Sequence, residues 1–244
     1  MAKLGISFVI PCYNEEGNIL QCIHAIEEDA NSIWGLEYDI IVVDNNSTDK
    51  TSAIAHAAGV KVVHEPKKGV VHARQAGYKE SKYKYIANID ADTQIPKGWV
   101  KAALHELEPN GKIQAVTGPL RFYDAGRIVN SISRIFYTLA RLSHNTLGHS
   151  IQGGNCMIRR SAIDAIGGYD TKFEFYGEDT RTAKLIQTHF GMGSIKMVPE
   201  MWQWTSARRL KNQGYLNTTW TYVINYVSTT LRNKPVTTTY KDYR

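Results

Sequence analysis

The sequence predicts an α/β fold built on one doubly wound, mostly parallel sheet flanked by helices. Apolar runs of strand length alternate four times with helix-like segments in roughly the first 90 residues. Such alternation is typical of a parallel sheet with right-handed crossovers. The fourth run ends in Asp90 and Asp92, at the carboxyl end, where open α/β sheets bind ligands. These observations predict a ligand crevice at one edge of the sheet.

Length and composition favour one globular domain over residues 1–244. Hydrophobic residues make up 43% of the chain and charged residues 21%, which is ordinary for a globular protein. No linker, internal repeat or low-complexity segment interrupts it. The chain is long enough for a single large core.

The cysteine content and the net charge indicate the compartment of the protein and the kinds of partner it can bind. Cys12, Cys22 and Cys156 are an odd number without metal-ligand spacing, which predicts reduced thiols in the cytoplasm. The N-terminus lacks the pattern of a signal peptide. The net charge of +6 suits phosphorylated substrates, anionic lipid or nucleic acid. Helix-turn-helix, zinc-finger and RNA-binding signatures are not found, so we expect no nucleic-acid partner.

The first half consists of strand and helix pairs. The predicted strands cover residues 5–11, 38–43, 60–64 and 85–89, and the predicted helices cover residues 14–31, 50–58, 69–81 and 99–107. Side-chain oxygens of Ser47, Thr48 and Asp49 suit the start of the second helix. The carboxylates of Asp44 and Asp90 are then expected at the same edge of the sheet.

The second half is less regular. We predict strands over residues 113–119 and 151–160, a short helix capped by Ser161, and helices over residues 126–147 and 179–190. The helix over 126–147 has aliphatic residues on one side and three arginines spaced by seven, Arg127, Arg134 and Arg141. Two interpretations stay open: a helix packed on the core with a solvated basic edge, or a helix lying on anionic lipid.

Residues 212–231 contain no charged side chain but many aromatic and aliphatic ones. Five threonines in this stretch argue against a membrane span, because buried polar groups without partners are costly in hydrocarbon. An amphipathic helix fits better, either packed on the domain or touching a bilayer. The flanking cations are Arg208, Arg209, Lys211, Arg232 and Lys234.

An ordered series of motifs resembles a known family. The motifs are PCYNEEGNI at 11–19, VVDNNSTDKT at 42–51, IDADTQIP at 89–96, GGNCMIRR at 153–160, GGYD at 167–170, GED at 177–179 and TSARR at 205–209. Together they resemble a family 2 glycosyltransferase of the GT-A fold. The resemblance implies transfer of a sugar from a nucleotide diphosphate sugar to an acceptor, with inversion. It also implies a nucleotide-sugar half (1–119), an acceptor and catalytic half (120–210) and an amphipathic C-terminal segment (211–244).

The resemblance implies a donor site with a divalent cation, Mn²⁺ or Mg²⁺. Asp92 is the expected metal ligand, Asp90 contacts the ribose or a metal-bound water, and Gln94 is a further possible ligand or a plain loop amide. The family often has a histidine ligand where this sequence has Trp202-Gln203-Trp204. The remaining expected donor contacts are Pro11, Tyr13, Glu15, Asp44, Arg74, Ala91, Gly154, Arg208 and Arg209.

Four of these residues also have plainer interpretations. Asp44 could be a turn carboxylate and Arg74 part of a solvated helix face. Arg208, with Arg209, could belong to a basic surface beside a membrane, although guanidinium groups also match the oxygens of a diphosphate.

Asp179 is the expected base that takes the acceptor proton, with Glu178 placing the acceptor or holding the loop. This assignment follows the family, in which the Asp of a Glu-Asp pair has that role; interaction with the helix dipole would explain both carboxylates as well. An acceptor that is already a phosphate would need little help from a base.

The acceptor is expected to be a glycan or a lipid-linked molecule, in glycan, glycolipid or cell-envelope synthesis. One alternative is a polyprenyl-phosphate glycosyltransferase with peripheral contact at the inner face of the membrane. An alternative from another class is a non-catalytic module that binds nucleotide sugars.

Overall fold

The computed structural model describes residues 4–109, 111–147, 151–173 and 176–237. Its strands form a seven-stranded sheet in the order β3-β2-β1-β4-β7-β5-β8 and a two-stranded sheet, β6-β9. The strands are β1 (Gly5–Cys12), β2 (Glu37–Asp44), β3 (Lys61–His64), β4 (Tyr85–Ile89), β5 (Ala115–Thr117), β6 (Leu120–Phe122), β7 (Asn155–Arg159), β8 (Ile195–Met197) and β9 (Gln203–Thr205).

Nine α-helices connect and cover these strands in the described part of the chain. They are α1 (Ile19–Asn31), α2 (Thr51–Ala57), α3 (Val70–Glu80), α4 (Trp99–Leu107), α5 (Arg127–Leu147), α6 (Arg160–Ala165), α7 (Glu178–Phe190), α8 (Arg208–Gln213) and α9 (Tyr215–Arg232). The predicted alternation of strands and helices in the first half is confirmed.

The large sheet is mostly parallel, as predicted. Strands β1 to β4 run in one direction, and β5 is parallel to β8. Only β7 runs antiparallel to its neighbours β4 and β5. This reversal places the start of β7 beside the end of β4, with Asn155 opposite Ile89. The Gly153-Gly154 segment therefore reaches the edge that carries Asp90.

Alternating strand residues build a core on each face of the sheet. On one face, Ile6, Phe8 and Ile10 of β1 pack with α1 and α4. On the other face, Val9 packs with residues of α3, α6 and α7. Because helices cover both faces, the sheet is doubly wound.

Asp29 makes a connection between helices that the sequence pattern does not reveal. Its buried carboxylate accepts the backbone N–H groups of Gly98 at 2.5 Å and Val100 at 2.7 Å. These are N–H groups at the start of α4, which would otherwise lack partners. Burial raises the pKa of Asp29, against these stabilising bonds.

Several predicted helix starts were wrong. Helix α1 begins at Ile19 rather than at residue 14, because Asn14 adopts a positive φ of 52° and bonds to the next loop. Of the three side chains predicted at the start of α2, Ser47 does not cap the helix, since its hydroxyl accepts the N–H of Asn14, whereas Asp49 does accept the Thr51 N–H. Ser161 lies inside α6.

The interpretation of α5 as a core-packed helix was also wrong. Its polar Asn130 and Ser133 bond to the backbone of β6, so that side faces the body of the protein. Its aliphatic side is exposed, with Ile128, Ile132, Ile135, Leu139 and Leu142 on the surface. The stripe has the spacing of one helix face.

Candidate active site

The carboxyl ends of β1, β2 and β4 meet at one edge of the sheet, and Asp44 ends β2 there. Its side chain is largely buried, and Oδ1 accepts the backbone N–H of Ser47 at 2.9 Å. Its Oδ2 lies 3.8 Å from Nδ1 of His64, at the end of β3. Asp44 thus lies at the predicted edge, and it makes the backbone contact expected of a carboxylate that stabilises a turn.

Pro11 and Tyr13 lie at the same edge of the sheet, where β1 ends. Pro11 lies within the strand, opposite Val43 of β2. The Nζ atom of Lys68 lies 4.8 Å from the ring centroid of Tyr13 and 3.5 Å from its hydroxyl. Lys68 is a cation at this edge that motif reasoning missed, because its neighbour Tyr13 is 55 residues away.

Asp90 and Asp92 follow β4 and differ in exposure. The side chain of Asp90 is 47% exposed, whereas that of Asp92 is 15% exposed. Oδ1 of Asp92 accepts the Thr205 hydroxyl at 3.3 Å, and Oδ2 lies 3.1 Å from Nη2 of Arg208. Ala91 between them is buried. The two carboxylates thus lie at the predicted edge, where Asp90 is more exposed to solvent and Asp92 is largely covered and faces the Arg208 guanidinium.

Gly154 permits the close approach of β7 to Asp90. A Cβ atom built on Gly154 would lie 2.0 Å from Oδ2 of Asp90, which no real side chain allows. The Gly154 carbonyl also accepts the backbone N–H of Asp90 at 3.4 Å and the Gln203 amide at 3.0 Å. Glycine is therefore required here by contact rather than by backbone conformation.

Gly154→Ala is expected to displace the Asp90 carboxylate and to destabilise the fold by about 1–3 kcal/mol, as overpacking of a close contact does. Urea unfolding measures the cost. The matched control is Gly126→Ala, because a Cβ there would meet nothing within 4 Å. Equal stability of the two variants would contradict the contact.

Arg74 connects Asp90, at the carboxyl edge of the sheet, to the Glu178-Asp179 pair. Its Nη2 lies 3.2 Å from Oδ1 of Asp90, and its Nη1 donates to Oε1 of Glu178 at 2.9 Å. Only 5% of the Arg74 side chain is exposed. The interpretation of Arg74 as part of a solvated helix face was wrong, because the segment around Gly153 covers its guanidinium.

Glu178 and Asp179 form a carboxylate pair at the start of α7. Burial and the neighbouring Asp179 raise the pKa of Glu178 to about 7, although Arg74 opposes this shift. Burial also raises the pKa of Asp179, while the N–H groups of Thr180 and Gly153 stabilise its charged form. Burial thus favours protonation of both carboxyl groups, a property that is common among groups that transfer protons.

Arg208 closes the site from the C-terminal part of the chain. Its Nη1 donates to Oε2 of Glu15 at 3.1 Å, its Nη2 contacts Oε1 of the same carboxylate, and Nη2 also faces Asp92. Glu15 is buried, and Asn18 donates to its Oε2 at 2.8 Å. Arg208 and Glu15 are 193 residues apart, so no local sequence signal could have paired them.

Two other predicted residues point elsewhere. Nη1 of Arg209 donates to the hydroxyl of Tyr222 in α9 at 2.6 Å. The side-chain amide of Gln94 donates to Gln21 of α1 at 2.8 Å, and its backbone pairs with Trp204. The structure therefore brings Arg208, rather than Arg209, to the two aspartates.

The carboxylates at this edge fit a hard divalent cation. Carboxylate oxygens are the ligands that Mg²⁺ and Mn²⁺ prefer, and the guanidinium on Oδ2 of Asp92 shows that this oxygen accepts positive charge. Within the described residues, no group of three or more His, Cys, Asp or Glu side chains could hold a metal. A bound cation would therefore need ligands from water or the donor phosphates.

Three cysteines were predicted to be reduced thiols; all three are buried, and none forms a disulfide with another described residue. Cys22 lies beneath the edge that carries Asp90, with its Sγ 3.5 Å from the Asp90 carbonyl oxygen.

In the part of the chain that the structure describes, no helix combines the length and apolarity needed to cross a membrane.

The chain is similar to known proteins in sequence. Residues 7–167 match the family model described as Glycosyl transferase family 2. A poly-beta-1,6-N-acetyl-D-glucosamine synthase of Staphylococcus epidermidis is 28% identical over 183 residues, covering 68% of this chain and 42% of that protein. The Staphylococcus aureus (strain COL) synthase is 25% identical over 181 residues, with the same coverage of both chains. The chain thus spans less than half the length of these relatives.

Solved structures support the fold. The glucosyl-3-phosphoglycerate synthase from Mycobacterium tuberculosis, in complex with Mn²⁺, UDP and glucosyl-3-phosphoglycerate, superposes with a TM-score of 0.69 at 22% identity. The match covers 94% of this chain and 80% of that one. The same enzyme with Mg²⁺ and UDP gives a TM-score of 0.68 at 21% identity, covering 94% and 79%. The predicted GT-A fold is confirmed.

Proposed function

Because this chain belongs to glycosyl transferase family 2, we propose that it transfers a sugar, with inversion, from a nucleotide diphosphate sugar to an acceptor. The observation that carries the proposal is the link from Asp90 through Arg74 to Glu178. It joins a donor edge of acidic side chains to a carboxylate pair suited to proton transfer. The structures of the mycobacterial enzyme, which hold UDP with Mn²⁺ or Mg²⁺, favour a uridine donor and one of these cations.

Each group at the edge has a proposed task. Pro11, Tyr13 and Asp44 hold the nucleoside, and Asp90 and Asp92 would hold the cation, which when bound would neutralise charge on the leaving diphosphate. Gln94 could join that shell only by giving up its bond to Gln21.

Asp179 accepts the proton of an acceptor hydroxyl as that oxygen attacks the anomeric carbon. The bond from this carbon to the diphosphate breaks in the same step, and the nucleoside diphosphate leaves with the electron pair. The base must therefore act on the face opposite the leaving group. Arg74 holds Glu178 against the donor edge, and the adjoining Gly153 N–H stabilises the Asp179 carboxylate.

The donor can be identified by a thermal-shift panel of nucleotide sugars with Mn²⁺, since ligand binding raises stability by mass action. We expect UDP sugars to raise the melting temperature more than GDP or dTDP sugars do. If no nucleotide sugar raises it, the proposal fails. Release of UDP from a stabilising donor distinguishes an enzyme from a module that only binds nucleotide sugars, because the module would bind without turnover.

The acceptor class is proposed from the relatives and from the surface. The staphylococcal relatives are named as glycan synthases, which supports a glycan acceptor in cell-envelope synthesis. A second candidate is a polyprenyl phosphate at the inner face of the membrane, because helix α9 has its apolar side outward. Its polar Thr218, Asn225 and Thr229 are buried, whereas Leu216 is 89% exposed and Trp220 is 64% exposed.

The charge around these apolar faces suits an anionic bilayer. Helix α5 exposes an aliphatic stripe together with three arginines. Neither residues 125–163 nor residues 201–241 contain an acidic residue. A second copy of the chain would present the same positive charges, so anionic lipid is the better complement. We propose peripheral contact through α5 and α9 on the cytoplasmic side.

Co-sedimentation with vesicles containing phosphatidylglycerol tests this contact. Wild type is expected to pellet at low salt, and replacing both Leu216 and Trp220 by Ser is expected to release most of it, because the double variant loses buried apolar area. The matched control is Trp34→Ser, since Trp34 is 99% exposed in the α1–β2 connection. If wild type stays in the supernatant with these vesicles, the proposed bilayer contact is contradicted, and a soluble acceptor becomes the better proposal.

A further inference from the structure

Arg208 holds two carboxylates of the proposed donor site at the same time. Its guanidinium contacts both oxygens of Glu15 and lies 3.1 Å from Oδ2 of Asp92. The Arg208 side chain is 26% exposed, so solvent and ligands can reach it. A positive group therefore lies on the carboxylate oxygen that a divalent cation would use.

The two contacts of Arg208 are not equal. The contact with Glu15 is bidentate, and Glu15 is a buried carboxylate also bound by Asn18. Paired N–H bonds of this kind are strong and directional. The contact with Asp92 involves one nitrogen, and Asp92 has a second partner in the Thr205 hydroxyl. Arg208 can therefore give up Asp92 while Glu15 still holds it.

We propose that Arg208 is an exchangeable counter-cation of the donor site. It neutralises Asp92 before the donor arrives, and a divalent metal then competes with it for Oδ2. This inference rests on the proposed metal-dependent transfer and extends it to the regulation of the same site. No covalent step is involved.

The exchange has a second consequence for the donor. The guanidinium stays on Glu15, beside Asp92, and Arg groups bind phosphate oxygens well. Once it leaves Asp92, Arg208 can turn that part of its guanidinium toward the diphosphate. Arg208 thus opposes binding of the metal alone but supports binding of the metal together with the nucleotide.

Two binding measurements on Arg208→Gln test this. In the first, Mn²⁺ is titrated without nucleotide and free Mn²⁺ is followed by electron paramagnetic resonance. We expect at least about fivefold tighter Mn²⁺ binding, since one nearby positive charge is removed from a partly exposed site. In the second, UDP is titrated calorimetrically at saturating Mn²⁺, and we expect about tenfold weaker binding because a charged hydrogen bond is lost.

Tighter Mn²⁺ binding together with weaker UDP binding distinguishes exchange from a structural role of Arg208, because loss of a structural role would weaken the binding of both ligands. The control is Arg209→Gln, which removes the same charge from the same helix but from a side chain bonded to Tyr222. Arg208→Lys covers the case in which Arg208→Gln does not fold; we expect it to bind Mn²⁺ more tightly than wild type, because a single ammonium group cannot keep the bidentate contact and also reach Asp92.

The outcomes separate this inference from the proposed function. If wild type binds Mn²⁺ and UDP but neither Arg208 variant binds Mn²⁺ more tightly, the exchange is overturned and the transferase proposal stands. If wild type binds neither ligand, the transferase proposal itself fails.

Discussion

Asp92→Asn is expected to lower donor turnover by at least about 1,000-fold in the presence of Mn²⁺, because a bound metal supplies several kcal/mol of charge stabilisation to a leaving diphosphate. The amide has the size of the carboxylate and can still accept the Thr205 hydroxyl, so the fold should be retained. Release of nucleoside diphosphate from the donor measures the loss.

The control for this variant is Asp164→Asn. Asp164 lies on α6, where it accepts the Tyr78 hydroxyl at 2.6 Å, and it has no part in the proposed mechanism. Its turnover should equal that of wild type. Full activity of Asp92→Asn would rule out Asp92 as the metal ligand.

Asp179→Asn is expected to leave UDP binding unchanged and to lower transfer to a hydroxyl acceptor by about 100- to 10,000-fold, which is the usual contribution of a general base. The Asn oxygen can still accept the Thr180 N–H that Asp179 accepts at 2.6 Å. The loss should therefore come from proton transfer rather than from a displaced loop. Calorimetric UDP binding and a transfer assay, run on the same preparation, separate the two effects.

Unchanged transfer by Asp179→Asn to an identified hydroxyl acceptor would exclude Asp179 as the base. The pH dependence of transfer is a second test of Asp179 as the base. Since burial raises the pKa of Asp179, the base should become protonated at a higher pH than an ordinary aspartate does, and transfer should weaken as the pH falls through that raised pKa.

The donor edge was predictable because its signals are local. Alternating strand and helix patterns place Asp44, Asp90 and Asp92 at the carboxyl ends of parallel strands, at one edge of the sheet. The structure confirms this placement, with Asp44 at the end of β2 and the other two after β4, on either side of β1. The antiparallel β7 was not predictable, because its pairing depends on the order of strands in space. Its position explains why Gly154 must be small beside Asp90.

The contacts across the site were missed because they join distant parts of the chain. The Arg74–Glu178 pair spans 104 residues, and the Arg208–Glu15 pair spans 193. Helical periodicity shows which residues share a face but not which neighbour covers that face. The same limit explains α5, whose apolar stripe was compatible with a face packed on the core or a face lying on lipid; in the structure it is on the surface.

In the proposed donor site, Asp90 and Asp92 bind a nucleoside diphosphate through a divalent cation. Calorimetric titration of UDP into wild-type protein, with Mn²⁺ and then with EDTA, tests it most directly. We expect the affinity to fall at least about tenfold in EDTA, since the cation shields the carboxylates from the diphosphate, and to recover when Mn²⁺ is restored. Equal UDP affinity with and without the metal would contradict the claim.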